Sequence, residues 1–438
     1  MTPEKKKGSP IAIVTIMFLF AMVSFVTNLA APIGVIWKNQ PEFAGSNFLG
    51  MLGNTMNFTA YLFMGIPAGK LLSKIGYNNT ALIAIAVGLL GIVIQYLSGI
   101  VGVGSLLFGL PANFYVYLLG AFIAGFCVCM LNTVINPMMN LLGGGGNKGN
   151  QLMQVGGIFS SLFQTLTPMF VGASIGTVTK NTAISDINLI LFIAMGVFTG
   201  IFILFWMIPI VDPGGEVKNK GTIIYERSPW AFRHFVLGVI GVFAYIGVEI
   251  GIPSTLNFFM EDVNGGNVGA TIAGFVAGTY WFLMLAGRFI GSLIGGKISS
   301  RTMLGYASGI SIVLIVIAML SPISFKTVMP VFTGSGFAIE QVPFSALLLV
   351  LCGLFISIMW GVIFNLATEG LGKYTTAASG IFMMMVVGGG ILPLIQNWIA
   401  DVSTYMISYI VPVIALVYLL YYAIIGSKNV SKDISVDY

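Results

Sequence analysis

Twelve apolar runs follow one another along this chain, at 11–36, 47–72, 80–99, 114–142, 151–176, 188–210, 235–259, 270–296, 303–321, 342–369, 378–400 and 405–425. A helix of about 20 residues crosses the hydrocarbon core of a bilayer. Backbone groups in lipid must bond within their own segment, so such runs fold as helices. The chain is 57% hydrophobic and only 8% charged, with a mean hydropathy of +0.98. Soluble domains carry roughly 25% charged residues. These features define an all-α polytopic membrane protein. Its 56 glycines suit helices that pack closely in lipid.

The longest polar stretch, 211–233, follows the sixth run and divides the chain into near-equal parts. We therefore expect an N-terminal six-helix bundle over 1–210, a linker over 211–234, and a C-terminal six-helix bundle with a short tail over 235–438. With the N-terminus inside, fifteen Lys and Arg residues are cytoplasmic and only Lys38, Lys180 and Lys326 face outward. Both termini are then cytoplasmic. The net charge of +5 is a topology signal and does not point to nucleic acid. The opening "MTPEKKKGSPI" leads into an apolar run too long for a cleaved signal peptide, so it is read as the first membrane helix. Cys127, Cys129 and Cys352 all lie in apolar runs and read as small buried hydrophobes, with no metal or redox cofactor implied. The four-glycine run at 143–146 lacks the Gly-Lys-Ser/Thr of a phosphate loop, so ATP hydrolysis is not expected.

Two internal echoes point to a duplicated unit. "GKLLSKIG" (69–76) follows the second run as "GSLIGGKI" (291–298) follows the eighth. "NTVINP" (132–137) and "WGVIFN" (360–365) lie in the fourth and tenth. Two matches at equivalent places support a duplicated six-helix unit.

One acid interrupts the seventh run, "FAYIGVEIGIPSTLNFF" (243–259), where Glu249 stands roughly 21 Å from the start of the helix at 1.5 Å per residue. An ionised carboxylate at mid-membrane costs about 2.5–3.5 kcal/mol on insertion scales, so it marks function or a buried ion pair. Arg288, in the eighth run, is the other deep ionisable residue, roughly 13 Å above Lys297 by the same rise. An arginine side chain can bridge part of the difference in depth. Two readings of Glu249 stay open and can coexist. It is a site for a cation or for a ligand hydroxyl, or a structural partner of Arg288. For Arg288 we expect a structural role, as a cytoplasmic-gate partner of Glu369.

Several segments resemble a known superfamily. "PAGKLLSKIGY" (67–77) is similar to the loop motif between helices two and three of the major facilitator superfamily, with Ser73 in place of the usual Asp. "LNTVINP" (131–137), "YIGVEIGI" (245–252), "GRFIGSLIGGKIS" (287–299) and "GLFISIMWGVIFNLATEGLGKYTTAASGI" (353–381) resemble its fucose/glucose/galactose sugar-transporter family, nearer the glucose/galactose branch. The resemblance implies two pseudo-symmetric six-helix bundles in the bacterial inner membrane. It also implies import of a neutral hexose with H⁺ or Na⁺ by alternating access. The working form is expected to be a monomer in the lipid bilayer, without a cofactor.

The helices that line the cavity in this superfamily carry Asn28, Asn132 and Gln164 at mid-depth, with Asn365 and Trp360 on helix ten. Tyr245, Tyr280 and Trp281 supply aromatic rings on helices seven and eight, and Glu249 adds the charge. Sugar recognition needs such polar groups and a ring for the C–H face. The acids that the fucose branch carries on helices one and four are absent here. Thr27 to Pro32 holds no acid, and Asn132 replaces the other. An uncoupled facilitator is the rival reading within transport. A membrane-embedded enzyme would need clustered acids or histidines, and His234 is the only histidine.

Overall fold

A computed structural model describes residues 10–142, 146–175, 178–207, 228–294, 298–371 and 374–428. Residues 211–227 of the expected linker at 211–234, the tail beyond 428 and Gly143 to Gly145 lie outside the described residues.

Helices dominate. The first half holds α1 (Pro10–Asn39), α2 (Asn47–Leu97), α3 (Ala112–Leu142), α4 (Gly146–Ile175) and α5 (Asn188–Met207). The second half opens with α6 (Arg233–Glu261), α7 (Gly269–Ile294) and α8 (Ser300–Leu320). It continues through α9 (Phe344–Ile356), α10 (Met359–Thr368), α11 (Thr375–Met384), α12 (Gly388–Val402), α13 (Tyr405–Ser408) and α14 (Ile410–Tyr421). Among the described residues, ten helices are long and apolar enough to cross a membrane, and α9 with α10 makes an eleventh span.

The second expected span supplies the twelfth. α2 runs for 51 residues, so at 1.5 Å each it is about 77 Å long, over twice the hydrocarbon thickness. It breaks at Gly76, where φ is +81° and ψ is 176°. That conformation is open essentially to glycine alone. The loop motif therefore separates two spans at the kink within α2. The first of them carries Asn54 and Thr55, which spend their polarity on the carbonyls of Gly389 and Gly390 in the opposite half.

The tenth span is a bent pair. α9 and α10 meet at 40° around Ser357, whose hydroxyl bonds back to the Leu354 carbonyl at 2.8 Å. Back-bonding of this kind bends helices. The eleventh span passes through a 3₁₀ turn at Met385–Val387 before α12. Two hairpins that the hydropathy pattern gave no sign of connect spans: β1 (Leu106–Leu107) with β2 (Leu110–Pro111), and β3 (Lys326–Phe332) with β4 (Phe337–Pro343).

The halves meet along two seams, α4 against α7 and α2 against α12. Large apolar side chains such as Phe63, Leu189, Phe192, Trp206, Leu293 and Leu320 point outward. Hydrocarbon is the solvent that suits such a surface, and the chain is an integral membrane protein.

Candidate functional site

The site is built on α6, which is enclosed by protein on every side from Ala244 to Met260. A helix apolar all round belongs in the interior, so Glu249 faces protein and not lipid. Its carboxylate lies 3.3 Å from the Arg288 guanidinium, and both groups are nearly buried. The second arm of Arg288 donates to the Gly157 carbonyl of α4 at 2.8 Å. One arginine on α7 thus holds an acid of its own half and a backbone oxygen of the other.

Arg288 reaches both partners because α7 lies against α9. Gly287 sits so close to the Leu354 carbonyl and the Ser357 hydroxyl that a methyl group there would overlap them. The Tyr280 hydroxyl donates to the Glu249 backbone carbonyl at 3.4 Å, and its ring meets Trp281 edge-on at 5.3 Å. Tyr245 is fully buried one turn before Glu249, and its ring centroid lies 6.2 Å from that of Trp360. Glu249, Arg288, Tyr245, Tyr280, Trp281 and Trp360 therefore share one region.

The amides divide. Asn28 donates to the Ser24 carbonyl of its own helix at 2.9 Å. Nearby, the Ser24 and Ser160 hydroxyls pair at 2.6 Å and tie α1 to α4. Asn132 donates to the Tyr61 hydroxyl at 2.7 Å and ties α3 to α2. Gln164 on α4 is buried with its side-chain oxygen unpartnered. Asn365 is exposed on α10.

The expected pairing of Arg288 with Glu369 does not form. Glu369, at the end of α10, meets Arg301 at 3.8 Å on an exposed surface. Arg301 begins α8 beside that helix end, whereas Arg288 is taken up by Glu249 and Gly157 deeper in the molecule. His234 lies against the Glu369 backbone carbonyl at 2.9 Å.

A second cluster went unrecognised in the sequence. Lys38, in the last turn of α1, is only 2% exposed. Its ammonium lies 3.9 Å from both Glu261 and Asp262 at the end of α6. It donates to Asn47 at 3.2 Å and to the Tyr405 hydroxyl at 3.3 Å. The only hint in the sequence was that Lys38 is one of three cations expected to face outward, since its partners come from distant segments.

The crystal structure of FucP, a major facilitator transporter in the outward conformation, superimposes with a TM-score of 0.67 at 18% identity, covering 96% of this chain and 99% of FucP. The fold, with its paired helical bundles, is the major facilitator fold. No model of a known protein family matches the chain. The glucose/galactose transporter of Brucella abortus (strain 9-941) is 30% identical over 434 residues, covering 97% of this chain and 96% of that protein. The L-fucose-proton symporter of Escherichia coli K12 is 23% identical over 89% of this chain and 86% of its own. The chain belongs to the fucose permease-like family of sugar transporters in the major facilitator superfamily. It is a transporter and not an enzyme.

Proposed function

We propose that this chain imports a neutral hexose, such as glucose or galactose, together with a cation, H⁺ or Na⁺. It works as a monomer in the bacterial inner membrane with both termini in the cytoplasm. The moving parts are the bundles over 1–210 and 235–438, joined by 211–234. The hexose assignment is supported by the likeness to the glucose/galactose transporter of Brucella abortus and to a putative glucose/galactose transporter of Helicobacter pylori.

The observation that carries the coupling is the bridge from Glu249 through Arg288 to Gly157. A buried carboxylate is held in place by one cation of the protein. When H⁺ or Na⁺ neutralises Glu249, the attraction that aims Arg288 is reduced, and the bond from Arg288 to α4 loses its support. Occupancy by the ion thereby acts on a contact between the two halves. Sugar would lie among Gln164, Tyr245, Trp281 and Trp360. The unpartnered Gln164 oxygen supplies an acceptor for a hydroxyl.

A second reading is favoured by the same distances. Glu249 and Arg288 satisfy one another without an ion, as a structural pair in an uncoupled facilitator would. Counterflow in proteoliposomes with a panel of sugars, with and without Na⁺ and a pH gradient, separates the two. The coupled reading predicts hexose accumulation that depends on one of the gradients. Equilibration alone under every gradient supports the facilitator.

A further inference from the structure

On the face that carries Lys38, four helix ends from the two halves converge: those of α1 and α2 from the first, and those of α6 and α12 from the second. Asp401, near the end of α12, receives four hydrogen bonds from the start of α2. Its Oδ1 accepts from the Asn47 backbone N–H and side-chain amide, both at 2.8 Å. Its Oδ2 accepts from the Ser46 hydroxyl at 2.7 Å and the Phe48 N–H at 2.9 Å. A carboxylate in this position satisfies the free amides of a helix N-terminus and complements its dipole. Here the cap is supplied by the opposite half of the molecule.

Lys38 sits beside this cap and crosses the same boundary. It belongs to the first half, and its charge is answered by Glu261 and Asp262 of the second. The Tyr405 hydroxyl lies 2.8 Å from Asn47 and 3.1 Å from Asp262, joining the two clusters. Beneath them, Val35 and Met51 of the first half pack with Phe258 of the second in a small apolar cluster of their own. The arrangement is a polar ring over an apolar plug, and every layer is shared between the halves.

We propose that Asp401 and Lys38 form the latch that holds this face of the transporter shut, and that breaking it is what opens the face to solution. Both are positioning residues, which act on the relative placement of the halves and touch no substrate. Rehydration makes the device reversible, with Lys38 buried in the closed form and Asp401 already at the surface. Separation frees the carboxylates, the ammonium and the α2 amides to take up water, which replaces much of what the bonds supplied. The same rehydration explains why charged groups are suited to a contact that must break in every cycle. The proposal is independent of the sugar and of the coupling ion, and it holds for whichever side of the membrane this face meets.

Accessibility of a cysteine beneath the latch tests it. Val35→Cys is placed in a protein whose Cys127, Cys129 and Cys352 are changed to Ala, and an impermeant maleimide is added to each side of the membrane in turn. With the latch intact, labelling is slow. Asp401→Asn and Lys38→Met should each raise the rate about tenfold or more from one side only, the same side for both. Asp401→Glu should restore slow labelling in part. Ser46→Ala removes one of the four donors to Asp401 without touching a buried charge, and it should give a smaller increase from that side. Unchanged labelling in Ser46→Ala together with Asp401→Asn would overturn the proposal. Equal acceleration from both sides would also overturn it, because that is the pattern of general loosening.

Discussion

Glu249 and Arg288 are each costly in the membrane alone and acceptable together. Arg288→Met leaves a buried carboxylate without its cation and should lower stability by about 3–5 kcal/mol, read from denaturation in detergent. Adding Glu249→Gln to Arg288→Met should recover much of that loss. The polar residues named for sugar binding separate on their partners. Gln164 has a free acceptor, and Gln164→Ala should weaken sugar binding by about 1–3 kcal/mol, measured by titration calorimetry. Asn132 already serves Tyr61, so Asn132→Ala should show its cost in stability as well as in affinity. Glu249 was legible because one charge stands in an apolar run, where the sequence alone raises the question of a partner. The Lys38 cluster was not, because its partners lie at 47, 261, 262 and 405 and only the fold brings them together. Arg288 was legible as deep and charged, yet its choice of Glu249 over Glu369 depends on how α7 lies against α6 and α9.

At the scale of elements, hydropathy located the spans and missed how they bend. The break in α2 coincides with the loop motif, and the residue that makes it feasible is Gly76. Gly76→Ala forces a side chain into a conformation that costs of order 1–3 kcal/mol, and it should lower the melting temperature without altering the α6–α7 site. Gly287→Val acts in the opposite place. Its side chain would collide with the Leu354 carbonyl, push α7 from α9 and displace Arg288, so transport should be lost even where folded protein can be purified. The bend at Ser357 and the β3–β4 hairpin leave no trace in average hydropathy. One depends on a hydroxyl bonding to its own helix, and the other on alternation within a short connection between spans.

For the whole molecule, a polar stretch and two sequence echoes raise the expectation of a duplicated unit split at 211–234, whereas the seams α4–α7 and α2–α12 needed the fold. Orientation rests on the distribution of Lys and Arg. Reporter fusions at Gly221 and after Lys432 should both read cytoplasmic, and a signal from the other side at either would contradict the topology. We propose that Glu249 couples a cation to sugar movement. Glu249→Gln keeps the shape of the side chain and removes its charge, so reconstituted Glu249→Gln protein compared with the unmodified transporter is the most direct measurement. Sugar-for-sugar exchange should continue, because the loaded carrier can still reorient, while gradient-driven accumulation should collapse. Full accumulation of sugar against its gradient by folded Glu249→Gln protein would contradict it.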